Sequence, residues 1–274
     1  MKKVKEKVIE AYRSGLKVSE IARQYNIHEK TIYRWLHQNN VTLKTDVPPP
    51  SEKLGYVIGF VVADGYVNRT ATGMNIYVTN TNLKLLEKFI NIAKEIGLNP
   101  HTPYISKRRT LGGKIEFKTH ICHTKLARKI VDFDKTILNS NKEMKKGFLG
   151  GVFDGDGSLI ITSFTHPTKG NCHSVELRFP SLNNRILNVI ATILREFRIP
   201  FHFEKAKSGF TGEPIDRIAI SGITNSIALL SSIPFFHTEK RNKFNELKKI
   251  LDEMYPPSRR YVMGLISQRL EHLS

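Results

Sequence analysis

Apolar residues recur at helical spacing through the first part of the chain. Val4, Val8, Ile9 and Tyr12 form one stripe, which Gly15 stops. Val18, Ile21, Ala22 and Tyr25 form a second, with Ser19 near its start. Asn26-Ile27-His28 reads as a tight turn, and Ile32, Trp35 and Leu36 form a third stripe. The pattern predicts three short helices over residues 3–38, the last two as a helix-turn-helix, with small Ala22 where the helices approach closely. The periodicity then lapses. Val41 to Lys53 has little apolar content and contains Pro48-Pro49-Pro50, whose fixed φ and missing N–H favour an extended, semi-rigid linker.

Beyond the linker the chain repeats itself. Leu54 to Gly65 and Lys146 to Gly157 are apolar, glycine-rich stretches; Gly55, Gly59, Asp64 and Gly65 match Gly147, Gly151, Asp156 and Gly157 at one offset of 92 residues. Two strand-like segments, a helix, two strands and a helix follow each motif. In the first copy, strands are expected at Met74–Thr79, Tyr104–Arg109 and Lys114–Ile121, the last two joined at Gly112-Gly113, with a helix over Leu83–Ile96. Their counterparts are Val175–Phe179, Phe201–Lys207, Ile215–Ser221 and the helix Arg185–Phe197. The fold expected is α+β: two pseudo-twofold related αββαββα halves behind a small all-α domain. The divisions expected are residues 1–40, a linker over 41–53, halves at 54–143 and 144–254, and a helical extension over 255–274 with no function assigned.

Charge gives this plan a partner. The chain has 43 Lys and Arg against 25 Asp and Glu, a formal +18, as suits a polyanion whose phosphates release counterions on neutralisation. In Lys114–Ile121 the odd positions Ile115, Phe117 and Ile121 should pack on helices, leaving Lys114, Glu116, Lys118 and His120 outward. Glu176 and Arg178 show the same split beside Ser174 in the second half. With Lys107, Arg109, Lys205, Lys207 and Arg217, these are the candidate DNA-facing residues of the two sheets. If the N-terminal helices form a helix-turn-helix, its third helix enters the major groove, and His28, Lys30, Thr31 and Arg34 face DNA. No apolar run is long enough for a membrane span, and the N-terminus lacks the apolar block of a signal peptide. Cys122 and Cys172 are too few for a disulfide framework or a four-cysteine zinc site, and read as reduced thiols. An intracellular protein is expected, cytoplasmic in a prokaryote or archaeon, or organellar.

The twin motif carries the candidate chemistry. Glycines four apart open a groove on a helix, so Gly55 and Gly59 should pack against Gly147 and Gly151, bringing Asp64 and Asp156 side by side. A single Asp-Gly pair is a common turn former; its duplication after matched glycine-rich helices points further. A carboxylate at a helix C-terminus opposes the macrodipole, and two together repel. A divalent cation relieves both, and hard oxygen donors suit Mg²⁺ or Mn²⁺ rather than zinc.

Ser19–Ile27 with Thr31–Leu36 resembles the helix-turn-helix of recombinases and transposases. Val57–Gly65 and Leu149–Gly157 resemble the two copies of the LAGLIDADG motif of homing endonucleases; the resemblance covers residues 54 to about 250, and Val62 departs from the motif where the second copy keeps Asp154. It implies a monomer with internal pseudo-twofold symmetry and sheets lying in the major groove of a long double-stranded DNA target. It also implies Mg²⁺ or Mn²⁺ held by Asp64 and Asp156, with the carbonyls of Ala63 and Gly155 as further ligands, and cleavage leaving short 3′ overhangs. One lysine per half is implied to support the activated water, and the repeats align Lys142 with Lys240. Two other activities fit the same fold: a DNA-binding transcription regulator and an intron RNA maturase. The chain lacks an N-terminal Cys or Ser and a terminal His-Asn, so a free-standing or intron-encoded enzyme is expected rather than an intein.

Overall fold

The structure, a computed structural model, describes residues 2–14, 16, 18–39, 41, 46–71, 73–109, 113–168, 170–207, 212, 214–254 and 256–273. It divides into two compact units, Met1–Val47 and Pro48–Ser274.

In the first unit, α1 (Lys2–Arg13), α2 (Val18–Tyr25) and α3 (Glu29–Gln38) close on one apolar cluster. Val8, Ile9, Tyr12, Val18, Ile21, Ile32 and Leu36 are its buried members, the stripes read from the sequence. Gly15, the expected stop of α1, lies outside the described residues. The turn between α2 and α3 places Asn26 at φ +50°, a left-handed conformation that its short polar side chain tolerates. His28 begins α3: its carbonyl accepts from the N–H groups of Thr31 (2.8 Å) and Ile32 (3.3 Å), and its Nδ1 accepts from that of Lys30 (3.1 Å).

The second unit starts with α4 (Glu52–Asp64), whose N-cap Ser51 accepts from the Leu54 N–H. There follow β1 (Gly65–Thr70), β2 (Gly73–Asn80), α5 (Leu83–Glu95), β3 (Tyr104–Arg109), β4 (Ile115–Cys122), α6 (Thr124–Val131) and α7 (Phe133–Leu138). The second half runs α8 (Lys142–Gly155), β5 (Ser158–His166), β6 (Gly170–Ser181), α9 (Asn184–Glu196), β7 (His202–Lys207), β8 (Pro214–Ser221), α10 (Ile223–Ser232) and α11 (Thr238–Glu253). Both four-stranded antiparallel sheets have one order, β1-β2-β4-β3 and β5-β6-β8-β7, so the duplicated plan holds strand by strand. The tip of the β3–β4 hairpin, with Gly112, lies outside the described residues. The closing helix α12 (Pro256–Leu273) is no detached extension. It packs on α10, burying Val262, Ile266 and Leu273, and Arg269 donates to the Arg198 carbonyl at 2.7 Å.

Residues 54–61 of α4 and 144–154 of α8 are buried all round, as helices at the centre of a body must be. They meet backbone to backbone. A Cβ added at Gly55 would lie 2.0 Å from the Met144 carbonyl oxygen, and one at Gly59 2.2 Å from that of Phe148. Reciprocally, a Cβ at Gly147 would lie 1.9 Å from the Glu52 carbonyl oxygen, and one at Gly151 2.2 Å from that of Tyr56. Only glycine permits these approaches, and the contacts repeat under exchange of the halves. Gly150 serves differently: a Cβ there would strike the Pro234 carbonyl oxygen at 1.8 Å, so the segment after α10 runs hard against α8.

The sheet faces follow the alternation with two corrections. Thr119 and Ile121 are buried and Phe117 is half-buried, but Ile115 is 55% exposed, at the end of β4 next to the hairpin. Lys205 pairs with Asp216 and Lys207 with Pro214, whereas Glu204 pairs with Arg217. Directly paired residues share a face, so Lys205 and Lys207 stand on the side of core residues Ile218 and Ile220, opposite Arg217.

Candidate active site at the paired helix ends

The glycine contacts decide where the acids emerge. Asp64 is the last residue of α4 and Asp156 the C-cap of α8. A Cβ on Gly155 would lie 2.5 Å from the Ala63 Cβ and 3.3 Å from Oδ2 of Asp64, so the two helix ends touch. Asp64, Ala63, Gly65, Asn80, Glu116, Gly155 and His237 line one cleft of about 580 Å³.

Each acid has its own support. Oδ2 of Asp64 accepts from Asn80 Nδ2 at 2.7 Å, and Asn80 is fixed in turn because its Oδ1 accepts from the Asn82 N–H. Asp156 is partly open to solvent, but the packed helix ends desolvate its carboxylate, which faces the charge of Lys240. The Lys240 ammonium donates to the carbonyls of Phe153 (2.5 Å) and Asp154 (2.8 Å) and, at 3.4 Å, to that of Gly155. A cation is thereby placed at the negative end of α8. The electrostatics are those of a strained pair. Burial first, then the charge of Asp156, push Asp64 up to about 7, against the pull of Asn80 and Lys240. Burial pushes Asp156 up to about 6, with Lys240 opposing. Burial brings Lys240 down to about 8, against the attraction of Asp154, Asp64 and Asp156.

Asp154, the acid whose counterpart is Val62, is 1% exposed and committed to structure. Its Oδ2 accepts from the Tyr56 hydroxyl of α4 (2.9 Å) and the Phe236 N–H (2.6 Å), and its Oδ1 from the His237 N–H (3.0 Å). The carboxylate ties both motif helices to the segment that leads to Lys240. Sequence reading missed Asn80, Tyr56 and this anchoring; an acid at only one of two matched positions was the available signal.

Lys142 is corrected. It opens α8 while Asp156 caps the other end; fourteen residues at 1.5 Å each set them about 20 Å apart. Lys145 and Lys146, one turn further along α8, are buried in ion pairs with Glu196 (2.7 Å) and Glu143 (2.8 Å). On the first sheet, Lys118 Nζ donates to the Tyr66 hydroxyl at 2.6 Å and lies 4.4 Å from the Tyr77 ring centre. His120 stacks between Tyr77 and His101. Lys114 is exposed and Glu116 half-buried. Lys107 and Arg109 belong to β3, but their side chains lie outside the described residues. On the second sheet, Glu176 pairs with Arg178 and Glu204 with Arg217, all on one face. In the first unit His28, Lys30 and Arg34 are exposed and Thr31 half-buried.

Two matched helices meeting through glycine, each ending in an acid and followed by the same four-stranded sheet, define a pseudo-symmetric α+β protein with one acidic centre. Residues 51–132 match the LAGLIDADG-like domain, and residues 4–41 match a helix-turn-helix domain. The second unit has the LAGLIDADG fold, and the first is similar to a helix-turn-helix domain. Among curated proteins it is 23% identical over 156 residues to an uncharacterized protein of Methanocaldococcus jannaschii, covering 56% of this chain and 57% of that one. It is 26% identical over 181 residues to the DNA-directed RNA polymerase subunit Rpo1C of that organism, covering 63% of this chain and 18% of the subunit. The chain thus spans less than two thirds of the length of either relative. Among solved structures, the I-LtrWI LAGLIDADG homing endonuclease bound to target DNA superposes with a TM-score of 0.50 at 13% identity, over 81% of this chain and 96% of that one. Full-length WhiA from Thermatoga maritima gives 0.49 at 16% identity, over 81% and 69%.

Proposed function

We propose that the chain is a site-specific double-strand DNA endonuclease, a homing endonuclease that hydrolyses phosphodiester bonds at the Asp64–Asp156 centre and leaves short 3′ overhangs. One observation carries the reading: the touching ends of matched helices each present a carboxylate, Asp64 lifted to about 7 by burial and then by the charge of Asp156, and Asp156 lifted to about 6 by burial, a pair that a cation would relieve. The donors fit a hard divalent ion, Mg²⁺ or Mn²⁺: the carboxylates of Asp64 and Asp156, with the Ala63 and Gly155 carbonyls at the touching helix ends. When bound, the ion supplies positive charge that polarises a phosphate oxygen and acidifies water. The chain's residues set the stage for it. Asn80 orients Asp64, Lys240 favours the ionised form of both acids, and Asp154 holds the Lys240 segment in place. Lys118 and His120 on the first sheet, Arg178 and Arg217 on the second, and His28, Lys30, Thr31 and Arg34 of the helix-turn-helix supply the DNA contacts of an intracellular protein acting as a monomer. The bound DNA of I-LtrWI supports this partner.

The test is cleavage of plasmids bearing a randomised target library, with Mg²⁺ or Mn²⁺. Cutting that disappears in Asp64→Asn and in Asp156→Asn supports the proposal. Tight, specific DNA binding without cutting in any divalent metal would overturn it in favour of a transcription regulator; stimulation of intron splicing without DNA cutting would point to a maturase.

A further inference from the structure

The acidic centre is not the only place where metal-ligating side chains converge. We propose that His101, His120 and Cys122 form a second metal site, for a thiophilic divalent cation such as Zn²⁺, on the face of the first sheet. One ligand atom from each of the three lies within 4.8 Å of the others. The backbone builds the cluster. His120 and Cys122 are two apart on β4 and therefore share a face. His101 is brought against them from the approach to β3: its N–H donates to the His120 carbonyl at 2.9 Å, and its carbonyl accepts from the buried Thr119 hydroxyl at 2.6 Å.

Two features of His120 point to a cation rather than to packing alone. Its Nδ1 is buried and, among the described residues, has no hydrogen-bond partner. A buried ring nitrogen with no partner is costly, and in the tautomer that leaves its lone pair free a metal ion can take it. The His101 ring stacks on it at 3.8 Å between centres and 12° between planes. Parallel rings do not aim their lone pairs at one point, so loading requires one ring to turn. His101 is the exposed one and is free to do so.

The donors select a different metal from the acidic centre. Two imidazoles and a thiolate suit Zn²⁺ or Co²⁺, whereas carboxylates and carbonyls suit Mg²⁺. The sites are also apart. Asn80, which holds Asp64, pairs with Phe117, while Asn75 pairs with Cys122, five residues and about 17 Å further along β4. Three protein ligands leave a fourth position for water. A bound ion would staple the approach to β3, at residue 101, to the end of β4, at residue 122.

The test is a titration of the full chain with Co²⁺ in excess Mg²⁺, followed by thiolate-to-cobalt charge-transfer absorption, with metal-free circular dichroism confirming that each variant is folded. Expected is one Co²⁺ per chain, displaced by one Zn²⁺. The band should vanish in Cys122→Ser, persist in Cys172→Ser, and require at least about tenfold more Co²⁺ in His101→Ala. A titration without a thiolate band, or a band lost in Cys172→Ser but kept in Cys122→Ser, would overturn the proposal. Neither outcome bears on the Asp64–Asp156 centre, which has no thiol.

Discussion

The helices α4 and α8 begin alike and end differently. Each has a polar N-cap, a glutamate in its first turn and glycines that admit the other's carbonyls. At the C-termini the likeness stops. Asp64 leans on the neutral amide of Asn80, while Asp156 faces a lysine whose ammonium also covers the last carbonyls of α8. The end of α8 is further pinned by Asp154, where α4 has Val62. Duplication has preserved the interface, where any added atom would collide, and the supports around the acids have diverged. Backbone contact constrains sequence more tightly than charge does, because a charge can be balanced from several directions.

The sharpest way to break the likeness is at the shared interface. Gly147→Val, which would drive a side chain into the Glu52 carbonyl, should destabilise the second unit by more than about 4 kcal/mol, or prevent its folding, by denaturant titration. Gly97→Val, at a site with nothing within 4 Å, is a smaller perturbation caused only by its φ of +82°. Next come the acids. Asp64→Asn and Asp156→Asn should each lower metal-dependent cleavage by about a thousandfold or more while leaving DNA binding within a few-fold, measured by plasmid cleavage and gel shift.

Lys240 sharpens the difference between the ends. Lys240→Met should reduce cleavage by about a hundredfold, and Lys142→Met, at the far end of α8, by less than about twofold. Because Lys240 lowers the pKa of both acids, its loss should also move the acid limb of the pH–rate profile to higher pH. The smallest effect is on stability. Asp64 binds its proton more tightly in the folded chain, about 7 against an ordinary 3.8, so its contribution is full at low pH and lost as pH rises through that window. Metal-free Asp64→Asn should therefore be more stable than the parent at pH 8, by about 1–3 kcal/mol, and equal to it near pH 4, by thermal unfolding.

Periodicity and the offset of 92 residues made the two halves, the succession of their strands and the pairing of the glycines legible in the chain alone. Those features depend on repetition along the chain, which a sequence displays directly. The acids were legible for the same reason. The lysines were not: Lys142 aligns with Lys240 in sequence, yet one opens the helix whose other end the second one covers. Lys205 and Lys207 were misplaced because strand parity relative to the core depends on register with β8, which composition does not carry. Asn80 and Tyr56 escaped notice because each acts across 16 or 98 residues of chain, on a partner that only folding brings near.

The reciprocity of the glycine contacts has one more consequence. Gly55 meets Met144 as Gly147 meets Glu52, and Gly59 meets Phe148 as Gly151 meets Tyr56. Such a surface is isologous: it is complementary to its own copy. Either half, cut free of the other, would present an interface able to close a twofold dimer around a single shared centre. The covalent connection between α7 and α8 makes that pairing intramolecular and therefore independent of protein concentration. Relieved of the need to match itself, each half was then free to acquire the one-sided features, Lys240 and Asp154 above all, that a strict homodimer would have had to carry twice.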